Sequence, residues 1–187
     1  MSLEDSELMS SLANSKTQSA AFSGLVRLYQ ERLYWHIRKM VLSHDDANDV
    51  LQNTFLKAWN AIAGFRGDSQ ISSWLYRIAT NETMTFLAQK RMRNVTNMDD
   101  EESLLLSQLH ADTYFDGDEA ELKLQEAILT LPEKQRLVFN MKYFDNLTYE
   151  QMEEILETSV GALKASYHHA VKKIEKFLSE EKLLSTN

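Results

Sequence analysis

Cysteine is absent from this 187-residue chain, which also has only one proline and five glycines. Without thiols the chain has no disulfide, thiolate zinc site or cysteine nucleophile, and a reducing cytoplasm fits this composition. Sandwiches and barrels need many turn residues, so the scarcity of proline and glycine favours helices. With a hydrophobic content of 43%, the sequence predicts an all-α fold with a packed core.

Long apolar runs and a basic N-terminus are also missing. No stretch approaches the roughly 18 apolar residues of a membrane span, so we expect no membrane insertion. Residues 1–12 include Glu4, Asp5 and Glu7 but no Lys or Arg, unlike the start of a secretory signal peptide. We therefore expect a cytoplasmic protein.

The net charge of −8 is unevenly distributed. Residues 1–93 carry a net +2, and residues 119–187 carry a net −3. Between them, residues 94–118 contain seven acids and no bases, and lack hydrophobic periodicity, which predicts a flexible acidic linker between two small domains. If a chain with so little positive charge binds DNA, its own affinity for DNA is weak, and it needs help from a larger partner.

Apolar residues at helical spacing, Leu25, Leu28 and Leu33 among them, predict three helices in the first domain and four in the second. The first three span 18–42, 46–63 and a segment from about 69–72 to the basic residues Lys90, Arg91 and Arg93. The other four span roughly 119–129, 133–144, 148–156 and 159–183.

Local signals mark where several of these helices begin and end. Ser43 opens a break with N-cap chemistry, and the one proline, Pro132, falls at an early position of its helix. Thr148 and Gln151 fit a capping box, and Ser159 is a further N-cap candidate. The short turn between 156 and 159 indicates a helix-turn-helix.

Three groups of residues are candidates for binding, and the first lies on the second helix. Asp49, Gln52 and Asn53 are spaced i, i+3 and i+4, which gives a polar stripe suited to docking on another helix. An ordinary solvated face has the same pattern. The apolar face of this helix is formed by Val50, Leu51, Phe55, Ala58, Trp59 and Ile62.

The second group runs through the next loop and the third helix. It comprises Phe65, Arg66, Trp74, Tyr76, Arg77 and Asn81. Aromatic rings stack on unpaired bases and arginines hold phosphates, while a polar pocket can read an extruded base. The alternative is core packing, because Trp74 and Ile78 are spaced i, i+4.

The third group is the second helix of the helix-turn-helix. This helix would offer the major groove Gly161, Ala162, Lys164, Ala165, His168 and His169. A plain helical hairpin is the alternative, although the basic tail of Lys172, Lys173 and Lys176 favours DNA. Adjacent histidines point about 100° apart and do not chelate together, so we expect no metal. No nucleophile motif or phosphate loop stands out, so we expect neither catalysis nor a cofactor.

Three parts of the chain resemble the sigma-70 family of bacterial transcription initiation factors. Residues 46–59 resemble region 2.2, and 65–69 with 74–81 resemble regions 2.3 and 2.4. The stretches similar to region 4 are 131–136, 149–156 and 159–164. The resemblance covers about 21–93 and 119–178 in the family's order. No region 1.1 or full region 3 fits this length, which points to the extracytoplasmic-function (ECF) type.

The resemblance implies a sigma factor that binds core RNA polymerase and promoter DNA. Domain 1–93 would bind the β′ clamp helices through Asp49, Gln52 and Asn53. It would also recognise and melt the −10 element through Phe65, Arg66, Ser69, Trp74, Arg77 and Asn81. Domain 119–187 would bind the β flap, and would read the −35 element through Ser159, Gly161, Ala162, Lys164, Ala165, His168 and His169. Family members are often held inactive by an anti-sigma factor.

Several positions depart from the family pattern. Asn53 stands where glutamate is usual, and Glu157 where glycine often lies in the turn. Ala165 and Ser166 replace the usual Ser-Arg pair, and His169 replaces an arginine. Because arginine to guanine is the commonest specific contact, losing two arginines alters the expected base reading.

Two other functions fit parts of the sequence. A helix-turn-helix regulator that binds duplex DNA without polymerase would need a dimer interface and a more basic recognition helix. A small all-α enzyme would need a pocket with convergent titratable groups, and the sequence offers no clear candidate.

Overall fold

The computed structural model describes residues 10–12, 14, 16–65, 67, 69–94, 107, 109 and 119–184. Every regular element within these residues is helical, as predicted. Within them two compact units are formed, one by the residues up to Leu87 with Glu154–Glu157 and the other by the remaining residues from Ala88 onward. The predicted linker lies outside the described residues, apart from Asn94, Ser107 and Leu109.

The first unit contains the first two predicted helices and the third as far as Leu87. They are α1 (Gln18–Val41), α2 (His44–Ala61) and α3 (Ile71–Asn94), with a 3₁₀ turn at Ile62–Gly64. The backbone N–H of Asp46 donates to Ser43 Oγ at 3.3 Å, so Ser43 is the predicted N-cap of α2. Arg91 and Arg93 lie in the last turn of α3, where they complement the helix dipole.

The core of this unit is apolar but contains one buried polar link. Leu33 and Ile37 of α1 are fully buried, as is Leu75 of α3. His36 is also fully buried, and its Nε2 lies 3.0 Å from Thr80 Oγ1 on α3. This bond satisfies the imidazole and sets the face that α3 turns inward.

Two residues counted with the apolar patterns are more exposed than their spacing predicted. Leu28 of α1 is 62% exposed, so it is not part of the core. Trp59 of α2 is 40% exposed, although its ring packs edge-on against Phe22 with centroids 5.0 Å apart. Both lie at the border of the buried stripe, where helical spacing alone does not decide burial.

The four helices predicted from the second half lie in the second unit, apart from Glu154–Leu156 at the end of the third of them. They are α4 (Glu119–Leu129), α5 (Glu133–Tyr143), α6 (Tyr149–Leu156) and α7 (Val160–Leu184), and Pro132 occupies the N-cap position of α5. Their bounds agree with the prediction to within one residue. The core is a cluster of Ala127, Ile128, Leu131, Phe139, Ala170 and Ile174. None of the helices in the described ranges is long and apolar enough to cross a bilayer.

Candidate nucleic-acid interface

The polar stripe on α2 faces solvent in the structure. Asp49, Gln52 and Asn53 are all exposed, while Val50 and Ala58 on the other side of the helix are buried. The amphipathic pattern of α2 therefore brings the three predicted side chains together on one free face.

Sequence reasoning missed a leucine next to this stripe. Leu56 is 56% exposed and lies i+4 from Gln52 and i+3 from Asn53, so it continues the same face. Its position off the predicted apolar face of α2 was the available signal. We call Asp49, Gln52, Asn53 and Leu56 the α2 surface.

Residues before and within α3 form a concave surface. Its lining includes Phe65, Ser69, Trp74 and Arg77, together with Glu154, which belongs to the same compact unit. The rings of Phe65 and Trp74 are tilted by 37° with centroids 4.9 Å apart, so they present a joint aromatic wall. Arg77 Nε is enclosed without a hydrogen bond to any described residue, while Nη1 of the same side chain lies 3.8 Å from Glu157 Oε1. Four of the six predicted −10 residues thus share one concavity.

The other two predicted −10 residues are placed differently. Asn81 is exposed and is not among the residues lining the concavity, but it lies one turn beyond Arg77 on the same side of α3. Arg66 lies outside the described residues. Tyr76, which the sequence grouped with them, is 5% exposed and packs edge-on against His36 instead. For Tyr76 the core alternative was correct.

Side-chain hydrogen bonds fix both helices of the helix-turn-helix. The predicted capping box is present, because Thr148 N donates to Gln151 Oε1 at 2.9 Å and Gln151 N to Thr148 Oγ1 at 3.2 Å. At the start of α7, Ala162 N donates to Ser159 Oγ at 3.4 Å. Glu157 in the turn has φ 52°, the left-handed conformation that glycine adopts without strain.

The face of α7 that was predicted to meet DNA is free. Every residue assigned to it is exposed: Ser159, Gly161, Ala162, Lys164, Ala165, His168 and His169. The opposite side of the helix is buried at Leu163, Ala170 and Ile174. A helix anchored along one side by the core presents the other side as a continuous surface.

Tyr149 of α6 is a further residue of this surface that the sequence did not single out for binding. Lys164 Nζ lies 5.6 Å from the centre of its ring, and Lys142 Nζ lies 5.0 Å away. Lys142 Nζ also donates to the carbonyl of Leu147 at 3.1 Å. Cation–π attraction therefore holds two ammonium groups beside the start of α6.

The neighbouring acid at this helix start stays charged. Hydrogen bonds from its own backbone N–H and from Thr148 lower the pKa of the Glu150 carboxyl. The surface around α6 and α7 thus mixes lysines, histidines and a carboxylate, and is not a uniformly basic patch.

The helical units and the exposed second helix define this molecule as an all-α protein of the helix-turn-helix class. Residues 25–93 match the family model for Sigma-70 region 2, and residues 121–174 match the model for Sigma-70, region 4. The ECF RNA polymerase sigma factor SigW of Bacillus subtilis is 31% identical, over 88% of this chain and 92% of its own length.

Two solved structures share the fold. The structure of CnrH in complex with the cytosolic domain of CnrY has a TM-score of 0.67 and 22% identity, covering 94% of this chain and 97% of CnrH. The sigma factor RpoE from Bartonella quintana, in complex with the anti-sigma factor NepR, has a TM-score of 0.64 and 21% identity, covering 84% and 96%. The chain belongs to the sigma-70 family of RNA polymerase sigma factors, in its ECF group. It is a factor that binds core polymerase and directs promoter-specific initiation of transcription.

Proposed function

We propose that the α2 surface binds the β′ clamp helices of core polymerase. Asp49, Gln52 and Asn53 supply polar contacts, and the exposed leucine Leu56 supplies apolar area beside them. Together they give this face of α2 both apolar area and hydrogen-bonding groups, which protein–protein interfaces combine. Asn53, where the family usually has glutamate, offers a neutral polar contact in place of a charged one.

The −10 element is then opened by residues around the concave surface. The aromatic wall of Phe65 and Trp74 stacks on an unpaired base of the separated strand, and Ser69 contributes a hydroxyl. Arg77 holds the strand, and Asn81 contacts it one turn further along α3. Arg66 completes this −10 group.

The −35 element is bound by the second unit through the exposed face of α7, and the same unit contacts the β flap. The observation that carries this proposal is the division of α7 into two sides: its seven candidate residues are exposed, and Leu163, Ala170 and Ile174 anchor it to the core. Recognition helices of this motif enter the major groove with such a free face.

We further propose that the protein has no catalytic role, works in the cytoplasm with polymerase, and is controlled by an anti-sigma factor. Control by an anti-sigma factor is supported by the sigma factor RpoE of Bartonella quintana, which shares the fold of this chain and was solved in complex with the anti-sigma factor NepR. The test is to add to the holoenzyme a cytosolic protein that co-purifies with this chain and inhibits it. We expect this inhibitor to release core polymerase from the chain. An inhibitor that leaves the holoenzyme intact would contradict the proposal.

A core-polymerase titration tests the assignment of the α2 surface. Gln52 is exposed, so Gln52→Ala should leave folding intact and weaken core binding by roughly 1–3 kcal/mol, the usual cost of a lost polar contact at an interface. Gln89→Ala is the matched control, because it removes the same amide from an exposed position on α3. Equal core affinity for the two variants would remove Gln52 from the interface.

A further inference from the structure

We propose that the recognition helix α7 distinguishes its −35 element chiefly by contacts to thymine methyl groups, with no arginine–guanine pair. The inference rests on the proposed function, in which the free face of α7 enters the major groove at −35. It adds the class of base that this particular helix recognises.

Arginine is not available on the α7 face for reading guanine. Residues 119–187 contain one arginine, Arg136, and no arginine follows it in the chain. Arg136 lies on α5 and is 4% exposed, so its guanidinium is part of the interior. The arginine–guanine contact therefore has no donor on this surface, and Lys164 is the one residue of the α7 face that could make the equivalent lysine contact.

The beginning of the α7 face is instead small and apolar. Gly161, Ala162 and Ala165 are all exposed, and none of their side chains has a polar atom. Gly161 and Ala165 are spaced i, i+4, and Ala162 and Ala165 are spaced i, i+3, so the three form one patch. This is the part of a recognition helix that approaches base edges most closely, and an alanine methyl packs against the C5-methyl of thymine.

The polar groups next to this patch already have partners. Ser159 Oγ accepts a hydrogen bond from Ala162 N, and Val160 N donates to Glu153 Oε1 at 3.2 Å. Lys164 Nζ is drawn toward the ring of Tyr149. His168 and His169 begin one turn beyond Ala165, so they reach other base pairs or phosphates.

Gly161 adds a steric observation. A Cβ built at this position meets no described atom within 4 Å, so the fold itself does not require glycine there. Absence of a side chain lets the helix backbone come closer to a ligand. A close approach is what short methyl contacts need, because the side chains of Ala162 and Ala165 extend by only one carbon.

The test uses holoenzyme assembled from core polymerase and the full chain. An upstream element is first selected from DNA randomised around −35, and each thymine in it is then replaced singly by deoxyuridine, which lacks only the C5-methyl group. We expect at least one replacement to weaken promoter binding by about three- to fivefold, the effect of one buried methyl group. Replacing guanines by 7-deazaguanine, which removes the N7 acceptor, should change binding less than about twofold.

Two alanine variants link the effect to the helix. Ala162→Gly or Ala165→Gly should abolish the sensitivity to deoxyuridine at one position, while the matched variant Ala120→Gly on α4 should retain it. A variant that merely folds poorly would lose affinity for thymine and deoxyuridine promoters equally, so it would not imitate this result.

The possible results distinguish the reading of thymine methyl groups from the placement of α7 at the −35 element. Insensitivity to every deoxyuridine, with a large loss from 7-deazaguanine, would overturn methyl reading and leave α7 at the −35 element. Failure of the holoenzyme to select any upstream element would overturn the underlying assignment of α7 itself.

Discussion

Glu157 occupies a backbone conformation that its side chain disfavours. With φ at 52° it lies in the left-handed region, where a residue with a Cβ costs roughly 1–2 kcal/mol. Glu157→Gly should therefore raise the free energy of unfolding by up to about 1 kcal/mol, since part of the gain is offset by the added freedom of the unfolded chain. Urea unfolding of the full chain measures this difference.

The control for this prediction is Glu157→Ala. It also removes the carboxylate but keeps the Cβ, so it should gain much less than the glycine variant. If alanine stabilises as much as glycine, the gain comes from charge and the strain argument fails.

Tyr167 links packing to pH dependence in the second unit. Its ring stacks on Phe139 with centroids 5.7 Å apart, and burial raises the pKa of the Tyr167 hydroxyl. Because the folded state holds this proton more tightly than the unfolded chain, the contribution to stability is complete below the ordinary tyrosine pKa of about 10. It is lost as the pH rises toward the folded-state pKa.

Tyr167→Phe keeps the ring and removes the titrating group. The variant should therefore lose less stability than the parent between about pH 9 and pH 11, as read from urea unfolding at each pH. Tyr143→Phe should keep most of the decline, because burial is the main cause of the raised pKa of Tyr167 and repulsion from Tyr143 is a smaller one. An identical alkaline decline for parent and Tyr167→Phe would contradict the assignment.

For single side chains, the sequence predicted the exposure of some residues better than that of others. The α7 face was predicted well, because Leu163, Ala170 and the residues between them follow one helical period. Tyr76 was not, because its burial depends on His36, forty residues earlier in the chain. Leu28 was counted with the apolar pattern of α1 but is exposed, because a single sequence does not distinguish an exposed leucine at the border of the stripe from a core leucine.

The bounds of the helices were predicted closely from local capping signals in the sequence. Ser43 and the Thr148–Gln151 pair cap helices through bonds that span three residues, so the sequence contains all the information needed. The concave surface was harder to foresee as one site. Its aromatic wall joins Phe65 to Trp74 across the loop before α3, and that geometry depends on tertiary packing.

The outward side of α3 gives a prediction about promoter melting. Asn81 is exposed, so Asn81→Ala should retain helicity and core binding. If Asn81 helps to hold an extruded −10 base, open-complex formation on a native promoter should fall about tenfold or more, because extrusion costs a few kcal/mol that contacts must offset. Permanganate footprinting of the −10 region measures the open complex.

A template already mismatched across the −10 region tests the cause of that loss. It removes most of the opening cost beforehand, so Asn81→Ala should recover much of its activity there. Thr85→Ala, at an exposed position one turn further along α3, is the control and should open both templates normally. Equal loss on the native and mismatched templates would instead assign Asn81 to folding or docking.

For the whole molecule, charge distribution explains the dependence on polymerase. A net charge of −8 opposes binding to a polyanion, and residues 119–187 are themselves net negative despite Lys172, Lys173 and Lys176. Few phosphate contacts mean little counterion release, so nonspecific affinity of the free chain is weak. The large polymerase assembly supplies that affinity, and the factor supplies the selection of sequence.

Reconstituted transcription tests whether the chain selects promoters only together with core polymerase. Purified core polymerase is combined with the chain on a library of genomic fragments, and the fragments that yield defined transcripts are then offered to the chain alone in a gel shift. We expect transcripts from discrete start sites only when both proteins are present, and no specific shift by the chain alone at physiological salt. Specific binding by the chain alone, with no defined transcript from the combined proteins, would contradict this expectation.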